Sequence, residues 1–162
     1  MGTSYTNLGD RGFWTSDAAL ETVLALLVVE LQSNADRGEV LDATLDDWTL
    51  QAVVGFMGCV SPALDEHLDG PASASIVADA LSRIGDRLPV SGEVVVSAAE
   101  LRVRAERVCG EGVWRPPSAS ADAVRCVAEA LRELISGELP ALSAGMWFVN
   151  GDRRRVLPRR NG

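Results

Sequence analysis

"DAALETVLALLVVELQ", residues 17–32, is the stretch on which the fold turns. Leu20, Leu24, Leu27 and Leu31 recur at helical spacing and line one face. Leu26, Val28 and Val29 make the other faces apolar as well, and a helix apolar nearly all round belongs at the centre of a domain. Ser16 stands where an N-cap is wanted, with Asp17 and Glu21 near the positive end of the helix dipole.

Outward from this helix, the periodicity predicts four more long helices and a short one. The second spans Leu45 to about Met57, opened by Thr44 with Asp47 in the manner of a capping box and stopped by Gly58. Its buried stripe is Leu45, Trp48, Ala52, Val53, Phe56 and Met57. Ser61-Pro62 opens a short helix to Leu68, since proline at the first helical position lacks only a donor that has no partner there. Ser75 starts a helix that runs through Arg87. Ser97 and Glu100 form a capping box for a helix to Cys109, with Val96 and Leu101 as its hydrophobic staple. The last long helix, Ala121 to Ser136, carries Val124, Val127, Leu131 and Leu134 in register. Val94 to Val96 reads as the lead-in to the staple rather than a strand. "MWFVNGDRRRVL", residues 146–157, reads as a small hairpin around Asn150-Gly151 that needs packing support.

The expected fold is therefore all-α: a single irregular bundle of five main helices plus one short one, with a small C-terminal hairpin. Residues 1–14 are an N-terminal arm, 15–150 the helical domain and 151–162 a basic tail. "VADALSRIGDRLP" from Val77 also echoes "VAEALRELISGELP" from Val127, and Cys59 and Cys109 share the offset, as two copies of a helical hairpin would.

The 162 residues suit one domain with a core of its own, and 47% hydrophobic content argues against disorder. Three cysteines at irregular spacing are no disulfide framework, and the first residues lack the basic and apolar regions of a signal peptide. The reading is a reduced, cytoplasmic protein. No apolar run approaches the roughly 20 residues of a membrane span. Arginine fills all 15 basic positions with no lysine, as in high-GC bacterial coding.

The net charge of −8 is unevenly spread. Residues 15–70 hold eleven acids against Arg37 alone, a balance of −10, whereas the last twelve residues hold Asp152 and five arginines, +4. Such a field repels nucleic acid and attracts cationic partners. The densest acids are Asp36, Glu39, Asp42, Asp46 and Asp47, and they are the first candidates for a surface that receives a basic protein. Trp14 and Trp114, in connecting segments, are candidate aromatic anchors, because tryptophan is enriched at binding hot spots.

Catalytic chemistry has one candidate, "GCVSPALDEHLDG" at residues 58–70, with Cys59 and the only histidine, His67. A thiolate needs positive surroundings, and this segment supplies carboxylates. Three cysteines and a histidine lack the close cysteine pair that nucleates a zinc site, so no metal or cofactor is expected. The function expected is a non-enzymatic, acidic protein-binding module, such as a bacterial immunity-type protein or inhibitor that neutralises a basic partner. The alternative is a small helical enzyme or small-molecule-binding protein with a pocket near residues 46–67. A third reading is a homodimer joined through helix faces.

Overall fold

The computed structural model describes residues 2–56, 58–112, 114–142, 145–151 and 153–158; of residues 36 and 38–40 it describes the backbone alone. The elements in chain order are β1 (Thr3–Leu8), β2 (Arg11–Ser16), α1 (Asp17–Gln32), a 3₁₀ turn (Ala35–Arg37), α2 (Gly38–Val54), α3 (Leu64–His67), α4 (Pro71–Arg87), β3 (Glu93–Val95), α5 (Ala98–Cys109), β4 (Ser118–Ser120), α6 (Ala121–Ile135), β5 (Met146–Asn150) and β6 (Arg153–Leu157). The chain is 54% helical and 19% strand.

The all-α expectation is overturned by a four-stranded mixed sheet in the order β1-β2-β5-β6 and a two-stranded one, β3-β4. The larger sheet joins the two ends of the chain. β1 and β2 form a hairpin with Leu8 opposite Arg11, so that Gly9 and Asp10 make the turn, and Gly9 adopts the positive φ of 60° that glycine tolerates. β5 and β6 form the second hairpin, with Asn150 opposite Arg153. The two hairpins meet through parallel pairing of Phe13, Thr15 and their neighbours with Trp147–Val149.

α1 is the central helix. Leu20, Val23, Leu24, Leu27, Val28 and Leu31 are fully buried, and α2, α4, α5 and α6 pack around it. Burial of each such leucine or valine is worth about 2 kcal/mol. The sheet closes the remaining side, with Phe13 and Val149 of its inner face in the same core.

Helix boundaries differ from the sequence reading where a local signal misleads. α2 begins at Gly38, because Leu41 carries the apolar spacing back beyond Leu45. Thr44 is buried within the helix rather than capping it. α4 begins at Pro71, the first-turn proline, after Gly70 at φ 103°. Ser97 holds the N-cap position of α5 without a side-chain cap bond, whereas Ser120 of α6 accepts from the Ala123 N–H at 3.3 Å. Glu93–Val95 is a strand after all, paired with Ser118–Ser120. Of the echoed segments, Val77 and Val127 both lie in helices, α4 and α6, which pack on each other; Cys59 lies in a loop and Cys109 ends α5.

The inner face of the main sheet is polar for a core: Ser4, Thr6 and Thr15 are all at most 2% exposed. Ser4 is bonded on both sides, donating to Asp17 Oδ1 at 2.6 Å and accepting from the Val60 N–H at 2.9 Å. The Thr6 and Thr15 hydroxyls meet no partner among the described residues. A buried hydroxyl without a partner destabilises relative to a methyl of the same shape. Thr6→Val and Thr15→Val should each raise unfolding stability by about 1 kcal/mol in urea titrations; a loss of stability in both would show that these hydroxyls are bonded in solution.

Candidate functional site

The acids singled out in the sequence are mostly engaged within the molecule. Asp42 and Asp46, one helical turn apart on α2, clamp the guanidinium of Arg104 on α5: Nη1 donates to Asp46 Oδ1 at 2.5 Å and Nη2 to Asp42 Oδ1 at 3.2 Å. Arg107 also pairs with Asp46, and Arg37 reaches Asp42 at 3.1 Å. Arg104 is 8% exposed, so this cluster fastens α2 to α5 and keeps a buried cation matched. Asp47 is bonded to His67 Nε2 at 2.7 Å. The side chains of Asp36 and Glu39 lie outside the described residues.

His67 thus clips α3 onto α2, edge-on to Trp48, whose indole N–H donates to the Pro62 carbonyl at 2.8 Å. Cys59 is exposed in the preceding loop and is not paired with the imidazole. Trp114 is half-buried against the core. Partial burial raises the Cys109 thiol above its ordinary value, the reverse of activation. Among the described residues no three His, Cys, Asp or Glu side chains are placed to share a metal ion. Two hollows touch the expected 46–67 region: one of about 170 Å³ at Asn7 and residues 61–66, and one of about 380 Å³ between residues 52–55, Glu21 and residues 115–118; neither is lined by Cys59 or His67.

A larger groove, about 680 Å³ and mainly apolar, opens at one end of the main sheet. Thr3, Ser16, Phe148 and Asn150 wall it on the sheet side; Ala18 and Glu21 of α1, Ser120 at the end of β4 and Ala123 of α6 wall it on the helix side. Two carboxylates meet there. Asp17 is buried, and besides Ser4 it accepts the Gly58 N–H at 2.6 Å, which stitches the 58–60 loop to β1 and the start of α1. Glu21, one turn on, is half-buried and bonds to no cation among the described residues. Burial raises its carboxyl above the ordinary 4.5, and the Asp17 charge raises it further.

Beside the groove, the outer face of the sheet presents one cross-strand row, Tyr5, Trp14, Phe148 and Arg155, read through the register of all four strands. The Tyr5 and Trp14 ring centroids are 5.3 Å apart, and the Arg155 guanidinium lies 4.9 Å over Phe148. Trp14, suggested by the sequence, is therefore half-buried at the centre of the outer face. Tyr5, Phe148, Arg155 and the Glu21 groove were missed. The Gly9-Asp10 turn between two β-prone runs was the available signal for the hairpin that presents Tyr5.

No protein-family model matches the chain, and neither curated proteins nor solved structures supply a match. No helix among the described residues is long and apolar enough to cross a membrane.

Removing both carboxylates of the α2–α5 clamp strands a buried guanidinium. Asp42→Asn with Asp46→Asn should cost about 2 kcal/mol in chemical denaturation, below the value for a fully buried pair because the carboxylates are partly exposed. Restoring the balance with Arg104→Met should recover most of that loss; no recovery would mean that the acids act elsewhere.

Proposed function

We propose that this protein is a non-enzymatic binding module that docks a basic protein partner, one of whose cationic side chains enters the groove at the end of the sheet. The observation that carries this reading is Glu21: a half-buried carboxylate that bonds to no cation among the described residues, next to Asp17 and walled by apolar surface. An arginine or lysine matches that environment, with an aliphatic stem for the apolar walls and a charged head for the carboxylates. The net charge of −8 would steer such a partner towards the molecule. Neutralisation of a basic toxin or enzyme, in the manner of an immunity protein or inhibitor, is the biological role that this chemistry serves most directly.

The acids at Asp42, Asp46 and Asp47 contribute to the long-range field, while their bonds to Arg104, Arg37, Arg107 and His67 hold the helices together. Cys59 and His67 have no catalytic part in this reading. A small organic cation is the competing occupant, since the groove volume lies within the usual range for ligand pockets.

Titration of labelled protein with acetyl-arginine-amide tests the groove directly. Amide shifts should appear at Ala18, Glu21 and Asn150, weaken with salt, and vanish in Glu21→Gln; equal shifts with acetyl-leucine-amide would defeat the reading. Binding should also fade as pH falls through the raised Glu21 value, above 4.5, because protonation removes the charge. Stability should move oppositely. A carboxyl raised by folding destabilises the native state when ionised, and that burden disappears once pH drops below the unfolded value. Glu21→Gln should therefore raise the melting temperature at pH 7, and the gain should vanish well below pH 4.5.

A further inference from the structure

The groove at the end of the sheet continues past Glu21. Glu21 and Gly55 line both it and the hollow of about 380 Å³ that reaches residues 115–118, so the two are parts of one trough. The space over Gly55 is open: beyond its chain neighbours, a Cβ there would meet nothing within 4 Å. The smaller part has one charge of each sign among its lining residues, Glu21 and Arg115. Arg115 is exposed and bonds to no carboxylate among the described residues. A ligand that fills this part faces an anion on one wall and a cation on another.

A strand edge runs along the same trough. Among the described residues β4 pairs with β3 alone. Beyond the ends of that ladder the Val96 N–H donates to the Pro117 carbonyl and the Ala121 N–H to that of Gly92, which sets the parity of the pairing. Pro117, Ala119 and Ala121 turn their peptide groups towards β3, so Ser118 and Ser120 turn theirs to the opposite edge. Ser118 lines the smaller part of the trough and Ser120 the larger. The Ser120 carbonyl, at the N-cap, belongs to the first turn of α6. The Ser118 N–H and C=O and the Ser120 N–H therefore face the edge to which an extended chain can add. Pro116 and Pro117 have no N–H, so the donors of that edge end at Ser118, close to Arg115 in the chain.

We propose that the trough takes the carboxyl-terminal segment of the basic partner, extended along β4, with arginine or lysine as its last residue. The last side chain reaches Glu21 and the terminal carboxylate reaches Arg115, so one residue matches both charges of the smaller hollow. The course is antiparallel to β4: Arg115 precedes Ser118, and a chain that ends at Arg115 runs from Ser120 towards Ser118. An internal arginine would leave Arg115 unmatched and would carry the partner chain on past Pro117 and Pro116, where the edge has no donors. This docking rests on the proposed role of Glu21 as the cation site and adds to it the requirement for a carboxylate.

Acetyl-arginine, which keeps its carboxylate, and acetyl-arginine-amide distinguish the two requirements, because the net charge of −8 by itself favours the amide. In titrations of the full chain followed by amide shifts, acetyl-arginine should bind about tenfold more tightly than the amide. Arg115→Gln, with an unchanged circular-dichroism spectrum, should bring that ratio to about one, and Arg115→Lys should retain part of the preference. Acetyl-Ser-Val-Thr-Arg with a free carboxyl terminus should bind more tightly still and shift the Ser118 and Ser120 amides, and amidation of its terminus should weaken it about tenfold. Equal or tighter binding of acetyl-arginine-amide to the unaltered chain would overturn the carboxyl-terminal docking and leave the cation site standing. Absence of binding by both arginine probes would overturn the two together. Free arginine that binds as tightly as the tetrapeptide would overturn the docking in favour of a small-molecule occupant.

Discussion

A central helix that is apolar on every side must be covered on every side, and the architecture follows from how α1 is covered. Leu20, Val23, Leu24, Ala25, Leu27, Val28 and Leu31 are almost wholly inaccessible. The helices α2, α4, α5 and α6 take most of the circumference, and the β2–β5 pairing supplies the rest with Phe13 and Val149. The sheet is therefore a lid on the core as much as an architecture of its own. Because that lid is made from residues near both chain ends, the core is not closed until the last hairpin has docked. Such non-local closure slows folding relative to a bundle of sequential helices.

What was legible in the sequence was local. α1 and α6 announce themselves through Leu20–Leu31 and Val124–Ile135, and the hairpin around Asn150 through its turn and β-prone residues. The first hairpin was illegible by hydrophobic alternation because three of its inward positions, Ser4, Thr6 and Thr15, look like solvent-facing residues, with Phe13 the one apolar exception among the fully buried ones. They can be polar because Ser4 is bonded to Asp17 and Val60 and because threonine suits a pleated surface. The parallel β2–β5 pairing has no local signature at all, since 129 residues separate Ser16 from Met146. Thr44 and Asp47 imitated a helix start while the apolar spacing at Leu41 continued behind them. The groove depended on that missed sheet, so Glu21 read as an ordinary dipole-stabilising acid.

Charge has a dual disposition in this molecule. Arg104 is buried with two carboxylates, Glu30 of α1 is held by Arg83 and Arg87 of α4, and Arg154 of β6 is bonded to Glu133 of α6. Burial alone would raise Glu30, yet its two guanidiniums bring it below the ordinary value. Folding makes Arg154 harder to deprotonate in the same way, burial being outweighed by Glu133. These pairs join successive layers: α1 to α4, α2 to α5, and the sheet to α6. Glu21 is the counterexample, raised rather than lowered and without a cation bonded to it among the described residues. A group whose charged form folding disfavours is the kind of group that functional sites retain.

The two surfaces of the sheet divide the work according to side-chain parity. A single-residue shift in the β2–β5 register would bring Thr15 and Phe13 outward and send Trp14 into the core. The burial of Phe13 beside α1 therefore fixes the outward direction of Trp14, and the hairpin registers carry that constraint to Tyr5 on one side and to Phe148 and Arg155 on the other. Arg154, with opposite parity to Arg155, turns inward to Glu133 and anchors the strand that presents its neighbour. In "RRR", three identical residues thus have two different fates, decided by alternation alone. The outward aromatic row is in this sense a consequence of core packing: the interactions that bury Phe13, Val149 and Arg154 are those that hold Trp14, Phe148 and Arg155 in line on the outer face.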